Sequence, residues 1–201
     1  MRMITTPPRS TWDAALACVK RGDREALAHL ALAHADEARA ARPMPRAGQP
    51  YGRRVLLASS EGEVMLASWR RGASCAPHDH GEARGIVIVL DGCFTEVAYA
   101  VSPGGLRAVS SRTVAPGDAL SVDEGLVHDM QAHGDGMTLH VYVPGVHAMR
   151  VYDRATRATL LVAGECGAWV PDEPSQVLRR WSWDRTDDGA QDRQPAPHAA
   201  R

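Results

Sequence analysis

The sequence lacks a long apolar run and an excess of either charge. No apolar stretch approaches the roughly 18 residues that a membrane-spanning helix needs, and the first residues lack the apolar core of a secretory signal. A net charge of -1 argues against a partner held by electrostatic attraction, such as nucleic acid or a membrane surface. We therefore expect a cytoplasmic protein with no nucleic-acid or membrane partner, present as a monomer or weak oligomer.

Cysteine pairs at metal-binding or redox spacing are also missing. The sequence has four cysteines, and no two of them form a CxxC motif. In a cytoplasmic protein such cysteines stay reduced. We predict free thiols at Cys18, Cys75, Cys93 and Cys166.

What the sequence contains is a helical start followed by short strands. Residues 10–42 show apolar residues at helical spacing, with Ser10 as a candidate cap and Gly22 as a break between two helices. After Tyr51, short apolar or alternating segments are separated by turn residues, which is typical of an all-β barrel or sandwich. We predict an N-terminal helical segment over residues 1–42 packed on the barrel, a barrel domain over residues 43–183, and a disordered tail over residues 184–201.

Three histidines form a candidate metal site. His78 and His80 are separated by one residue, so in an extended segment their side chains point to the same side. His128 follows a turn, a strand and a second turn, where a neighbouring strand would bring a third imidazole to the first two. Imidazole nitrogens are ligands for zinc, iron, nickel and copper. A pair of histidines at this spacing in a β context favours a shared metal over two unrelated residues.

These residues carry a family resemblance. Residues 72–92 resemble the first cupin motif, in which a glycine precedes the HxH pair and a second glycine follows the next strand. Residues 117–128 resemble the second motif, with Gly125 at its glycine position. Many cupins have a Glu ligand four or five residues after HxH, but this chain has Arg84 and Gly85 there, and Glu82 falls in the turn. The candidate ligands that remain are the three histidines His78, His80 and His128.

A cupin site without the carboxylate ligand resembles the metal site of the cysteine dioxygenase family of thiol dioxygenases. The chain resembles the bacterial members of that family. The resemblance implies a small cupin barrel of the jelly-roll type and one Fe(II) per chain on His78, His80 and His128. Neutral imidazoles leave the charge of the ion uncompensated, which favours binding of a substrate thiolate and amine. In animal members a cysteine at the position of Gly85 is cross-linked to a tyrosine. The glycine implies that this cross-link is absent.

Two further segments match the family. Residues 137–144 resemble a strand with a Ser-His-Tyr line beside the iron, represented here by Thr138, His140 and Tyr142 on one strand face. Residues 51–57 resemble the strand whose Tyr and Arg bind the substrate carboxylate, here Tyr51 and Arg53. Relatives that use 3-mercaptopropionate have a Gln at the Arg position. A guanidinium pairs with a carboxylate through two hydrogen bonds. Since this chain has Arg53 where those relatives have Gln, the resemblance favours cysteine as the substrate.

The resemblance thus implies an enzyme of cysteine catabolism that oxidises L-cysteine with O2 to cysteine sulfinate. Its partners would be a small thiol amino acid and O2, and Tyr142, His140 and Thr138 would be its catalytic residues. Two alternatives stay open at this point. One is a dioxygenase for another small thiol such as 3-mercaptopropionate. The other is a non-catalytic cupin that binds a small ligand through its metal; a metal-dependent isomerase of the same fold is disfavoured by the missing Glu.

Overall fold

In the computed structural model, which describes residues 7–183, three short helices precede eleven strands. The predicted tail over residues 184–201 lies outside the described residues. The helices are α1 (Arg9–Arg21), α2 (Arg24–Ala33) and α3 (Ala35–Ala40). The strands are β1 (Tyr51–Ser59), β2 (Gly62–Trp69), β3 (Arg84–Asp91), β4 (Phe94–Ser102), β5 (Gly105–Val114), β6 (Ala119–Val122), β7 (Val127–Ala132), β8 (Gly136–Val143), β9 (Ala148–Asp153), β10 (Ala158–Ala163) and β11 (Val177–Ser182).

The strands form three antiparallel sheets. The five-stranded sheet has the order β1-β2-β8-β3-β6, and the two three-stranded sheets have the orders β5-β4-β7 and β11-β10-β9. A bridge between His78 and His128 and another between His78 and Val151 join the segment before β3 to both smaller sheets. The structure confirms the predicted fold class, a small all-β cupin barrel with N-terminal helices.

The three central strands of the five-stranded sheet, β2, β8 and β3, are buried on both faces. On β2, Met65, Ala67 and Trp69 belong to the core inside the barrel, while Val64 and Leu66 belong to a second core against the helices. The same alternation occurs on β3 and β8. This two-sided burial explains why these strands read as nearly continuous apolar runs in the sequence. The helical side of that second core is supplied by residues such as Trp12, Leu16 and Leu27.

One predicted helix boundary agrees with the structure and one does not. Gly22 ends α1 in the left-handed conformation, at φ 69°, so the predicted break is confirmed. The prediction that Ser10 caps the helix was wrong, because Pro8 occupies the cap and Ser10 lies inside the first turn. A side-chain cap is present instead on α2, where Asp23 accepts a hydrogen bond from the Ala26 amide at 3.0 Å.

Strands β9 and β11 are difficult to recognise in the sequence. Both are six residues long and carry arginines, at Arg150 and at Arg179 and Arg180, which interrupt an apolar pattern. The four cysteines are free, as predicted. None of the helices within residues 7–183 is long and apolar enough to cross a membrane.

Candidate metal centre

The segment that carries His78 and His80 is a short extended stretch rather than a regular strand. It lies between β7 and β9: the His78 amide donates to the His128 carbonyl at 2.9 Å, and the His128 amide donates back at 3.0 Å. On the other side, the Tyr152 amide donates to the Pro77 carbonyl at 2.8 Å. Because its backbone is paired on both sides, this stretch holds two histidines next to the third.

The three histidine rings meet inside the barrel. One nitrogen of each of His78, His80 and His128 lies within 4.8 Å of the others, and the ring centroids are 4.7, 4.9 and 5.2 Å apart. All three side chains are buried. Burial, reinforced by the neighbouring imidazoles, holds the pKa of His78 and of His80 well below the ordinary value. These two rings are therefore neutral at physiological pH and able to donate a lone pair to a metal.

Hydrogen bonds select which ring nitrogens remain available. Nδ1 of His78 donates to the Ala76 carbonyl at 2.9 Å, and Nδ1 of His128 pairs with Oε1 of Glu96 at 2.8 Å. In both rings Nε2 is left as the metal ligand. Nδ1 of His80 is buried and has no hydrogen-bond partner among residues 7–183, so burial of this ring is not compensated by the protein alone. The donor set fits a transition-metal ion.

Glu96 was not identified from the sequence, yet it contacts a metal ligand directly. Its side chain is buried, and its second oxygen accepts a hydrogen bond from Nε of Arg112 at 2.5 Å. Burial raises the pKa of Glu96, but the hydrogen bonds from His128 and Arg112 outweigh it and lower the pKa overall. The carboxylate thus fixes the orientation of the His128 ring. Its position two residues after the buried Phe94 on β4 is the only signal in the sequence.

Replacing Glu96 with Gln is expected to weaken metal binding by about 10- to 100-fold, because a neutral amide polarises the His128 ring less than a carboxylate does. The measurement is a competition titration of the metal with a chelator of known affinity. Thr95→Ser, on the same strand, is the control and should leave the affinity unchanged. An unchanged affinity in Glu96→Gln would show that this hydrogen bond has only a packing role.

Asp79, between the two histidines, points away from the metal ligands and fixes the segment to β9. One of its oxygens accepts from the Gly81 and Arg150 amides at 3.1 and 2.8 Å, and the other from Nη1 of Arg150 at 3.0 Å. The carboxylate is buried. A buried, paired carboxylate of this kind orders the ligand-bearing backbone before any metal is bound.

Thr138, His140 and Tyr142 form a continuous hydrogen-bonded line along β8. Oγ1 of Thr138 lies 2.8 Å from Nε2 of His140, and Nδ1 of His140 lies 2.9 Å from the Tyr142 hydroxyl. Nε1 of Trp69 donates to Oγ1 of Thr138 at 3.0 Å. This contact was not predicted from the sequence. Burial lowers the pKa of His140 to about 3 and raises the pKa of Tyr142 well above its ordinary value. Both rings are therefore neutral at physiological pH.

Tyr142 is the member of this line that faces the histidines. Its ring centroid lies 5.1 Å from that of His80. On the other side lies Gly85, paired with Tyr142 in the β3–β8 register. A Cβ atom at Gly85 would stand 2.4 Å from the tyrosine ring, so the glycine gives this ring its space.

Tyr51 and Arg53 line the same cavity as the three histidines. The Tyr51 ring stacks near Trp69 and Trp169, and its hydroxyl accepts from the Ala168 amide at 2.8 Å. Arg53 faces the cavity, whereas the neighbouring Arg54 is exposed and donates to the Ala41 carbonyl. The guanidinium of Arg53 already has a partner that the sequence did not predict: Nη2 lies 2.8 Å from Oε1 of Glu63.

One small cavity connects these groups. Its volume is about 30 Å³, so it suits only a small ligand. Of the predicted site residues, Thr138 lies behind the cavity wall; the others line the cavity, namely Tyr51, Arg53, His78, His80, His128, His140 and Tyr142. The cavity therefore joins three candidate metal ligands, a tyrosine hydroxyl and a buried ion pair.

Comparison with known proteins gives one family match and several fold relatives. The family described as cysteine dioxygenase type I matches residues 48–155, more than half of the chain. KdgF from a Halomonas species is 21% identical, with 50% of this chain and 84% of that chain covered and a TM-score of 0.42. An uncharacterised protein with a double-stranded β-helix domain from Klebsiella pneumoniae is 20% identical, with 57% and 94% covered and a TM-score of 0.44.

Proposed function

This chain belongs to the cysteine dioxygenase type I family, and from that premise we propose that it is a non-haem Fe(II) dioxygenase that converts L-cysteine and O2 to cysteine sulfinate. The observation that carries the proposal is the set of three buried histidines without a carboxylate, in a cavity that also presents a guanidinium. We place the reaction in the cytoplasm, since all four cysteines are free thiols, as in reduced compartments.

His78, His80 and His128 would hold the metal, one ion per chain. When bound there, Fe(II) supplies the redox chemistry by which O2 reacts with a thiolate. The contribution of the three imidazoles is their neutrality, because an anionic ligand would reduce the positive charge that favours the thiolate form of the substrate. Histidine sites also accept zinc, nickel and copper, so the choice of iron rests on the family.

The remaining residues orient the substrate and control protons. Arg53, with Tyr51 beside it, would bind the substrate carboxylate inside the cavity. One tautomer of His140 gives the line from Trp69 to Tyr142 a single donor direction. In it Trp69 donates to Thr138, Thr138 to Nε2 of His140, and Nδ1 of His140 to the Tyr142 oxygen. The Tyr142 hydroxyl is then free to donate its own proton into the cavity, where it would stabilise negative charge developing on oxygen.

The test is oxygen uptake by the Fe(II)-loaded protein with L-cysteine and 3-mercaptopropionate compared side by side. The expected result is uptake with L-cysteine and recovery of the sulfinate as product. A strong preference for 3-mercaptopropionate would keep the metal site and contradict the assignment of L-cysteine as the substrate. Bound iron without thiol-dependent uptake would instead indicate a non-catalytic metal-dependent binding protein.

Replacing Arg53 with Gln should raise the KM for L-cysteine by about tenfold or more, with a smaller effect on kcat, since the lost contact orients the carboxylate in the ground state and transition state alike. Glu63 would also lose its cation and repel the substrate. Steady-state oxygen uptake measures both constants. Arg54→Gln is the matched control, because Arg54 is exposed on the same strand. Unchanged turnover of cysteine by the Arg53 variant would show that the carboxylate binds elsewhere.

A further inference from the structure

Glu63 is a negative charge inside the proposed substrate cavity. It lies on β2 in phase with Met65 and Trp69, so its side chain points to the barrel interior. Its cross-strand neighbour on β8 is Tyr142. The side chains of Glu63 and Arg53 are 13% and 18% exposed, so this ion pair is largely removed from solvent. At such burial the charges interact more strongly than on a surface.

The pair uses one edge of the Arg53 guanidinium. Nε lies 3.1 Å from Sδ of Met65 and Nη2 lies 2.8 Å from Oε1 of Glu63. Nη1 has no hydrogen-bond partner within residues 7–183. A substrate carboxylate that uses the remaining edge must therefore lie next to the Glu63 carboxylate. Two anions share one cation in that arrangement, and the repulsion between them offsets part of the attraction to Arg53.

The charge balance of the cavity leads to the same conclusion. Among its lining residues, Arg53 and Glu63 carry opposite charges that cancel. This ion pair therefore offers no net positive charge to a substrate carboxylate. A ligand without a carboxylate loses little binding free energy in such a site. A ligand that depends on Arg53 alone loses most of its binding free energy.

We propose that Glu63 is a specificity-determining residue that weakens the requirement for a carboxylate, so that small aminothiols without one are substrates alongside L-cysteine. This inference rests on the proposed function. The chemistry is the same: a thiolate and O2 give a sulfinate, the O–O bond breaks, two S–O bonds form, and four electrons pass from sulfur to oxygen. Thiols with a carboxylate but no amine, such as 3-mercaptopropionate, are the disfavoured class.

The test compares ligand binding to the Fe(II)-loaded full chain under argon by calorimetry, with L-cysteine and 2-aminoethanethiol as probes. Glu63→Gln removes the competing charge. It should raise the ratio of the Kd of 2-aminoethanethiol to the Kd of L-cysteine by about fivefold or more. A smaller rise, or a fall, overturns the proposal. Glu61→Gln is the matched control: it removes the same charge from an exposed turn residue that pairs with Lys20, and the ratio should stay constant.

A second variant keeps the test decisive if Glu63→Gln does not fold. Glu63→Asp retains the charge but draws it back from Arg53 by one methylene, so the ratio should move in the same direction by a smaller amount, about twofold. No movement in the folded Asp variant would then contradict the role of Glu63. Thermal unfolding of each variant identifies the folded ones.

Oxygen uptake with the same two thiols separates this proposal from the one on which it rests. Uptake with both thiols by the unmodified chain supports both proposals. If the thiols bind but no oxygen is consumed, the dioxygenase function fails, while Glu63 is still judged on the Kd ratio. If neither thiol binds, both proposals are contradicted.

Discussion

Replacement of His80 with alanine is expected to abolish stoichiometric iron binding, one Fe(II) per chain, and with it all thiol-dependent oxygen uptake. The candidate site offers three histidine nitrogens and no carboxylate among the residues described, so the loss of one histidine leaves only two ligand atoms. His80 is the most informative of the three, because its Nδ1 has no hydrogen-bond partner whose loss would disturb the fold. Iron content by elemental analysis and oxygen uptake are the two measurements.

The control for this variant is His133→Ala. His133 is exposed and bonds to Thr95 outside the cavity, so its loss should change neither iron content nor uptake. Thermal unfolding of the metal-free proteins should show that His80→Ala is folded. Retention of one iron per chain by folded His80→Ala would mean that the ion is held elsewhere. That result would contradict the assignment of the three histidines as ligands.

Replacement of Tyr142 with phenylalanine is expected to reduce kcat by about a hundredfold while iron binding persists. The variant removes the only hydroxyl of the β8 line that faces the cavity, and a positioned proton donor typically contributes about 10² or more to a rate. Because burial holds the pKa of Tyr142 well above its ordinary value, the hydroxyl stays protonated at physiological pH. The lost hydrogen bond to His140 should cost about 1 kcal/mol of stability, which leaves the protein folded.

Steady-state oxygen uptake and iron content together measure this effect. The matched control is Tyr99→Phe, which removes a tyrosine hydroxyl that donates to Asp129 at 2.7 Å and does not line the cavity. Its kcat should stay near that of the unmodified chain. A Tyr142→Phe protein with unchanged kcat would show that this hydroxyl takes no part in the reaction.

Several features of this protein follow from local sequence patterns. An HxH pair in an extended segment presents both rings to one side, and a period of two places Thr138, His140 and Tyr142 on one strand face. Short alternating segments between turn residues predicted the barrel. These inferences depend only on residues that are neighbours in the sequence, because the side-chain direction in an extended segment alternates from one residue to the next. The family assignment depended on the same short motifs, together with a missing Glu at Arg84 and Gly85.

Other features required the tertiary structure. The sequence could not decide whether Arg53 or Arg54 faces inward, because a shift of one residue in register reverses the faces of a strand. The Glu96–His128 contact joins residues 32 positions apart, and the Arg150–Asp79 pair joins residues 71 positions apart. The Arg53–Glu63 pair depends on how β1 and β2 align across a bulge. Local patterns therefore indicated the candidate metal ligands and most of the strands. Long-range pairing alone decided which charges surround the ligands and the substrate, because those contacts arise only when the sheets close into a barrel.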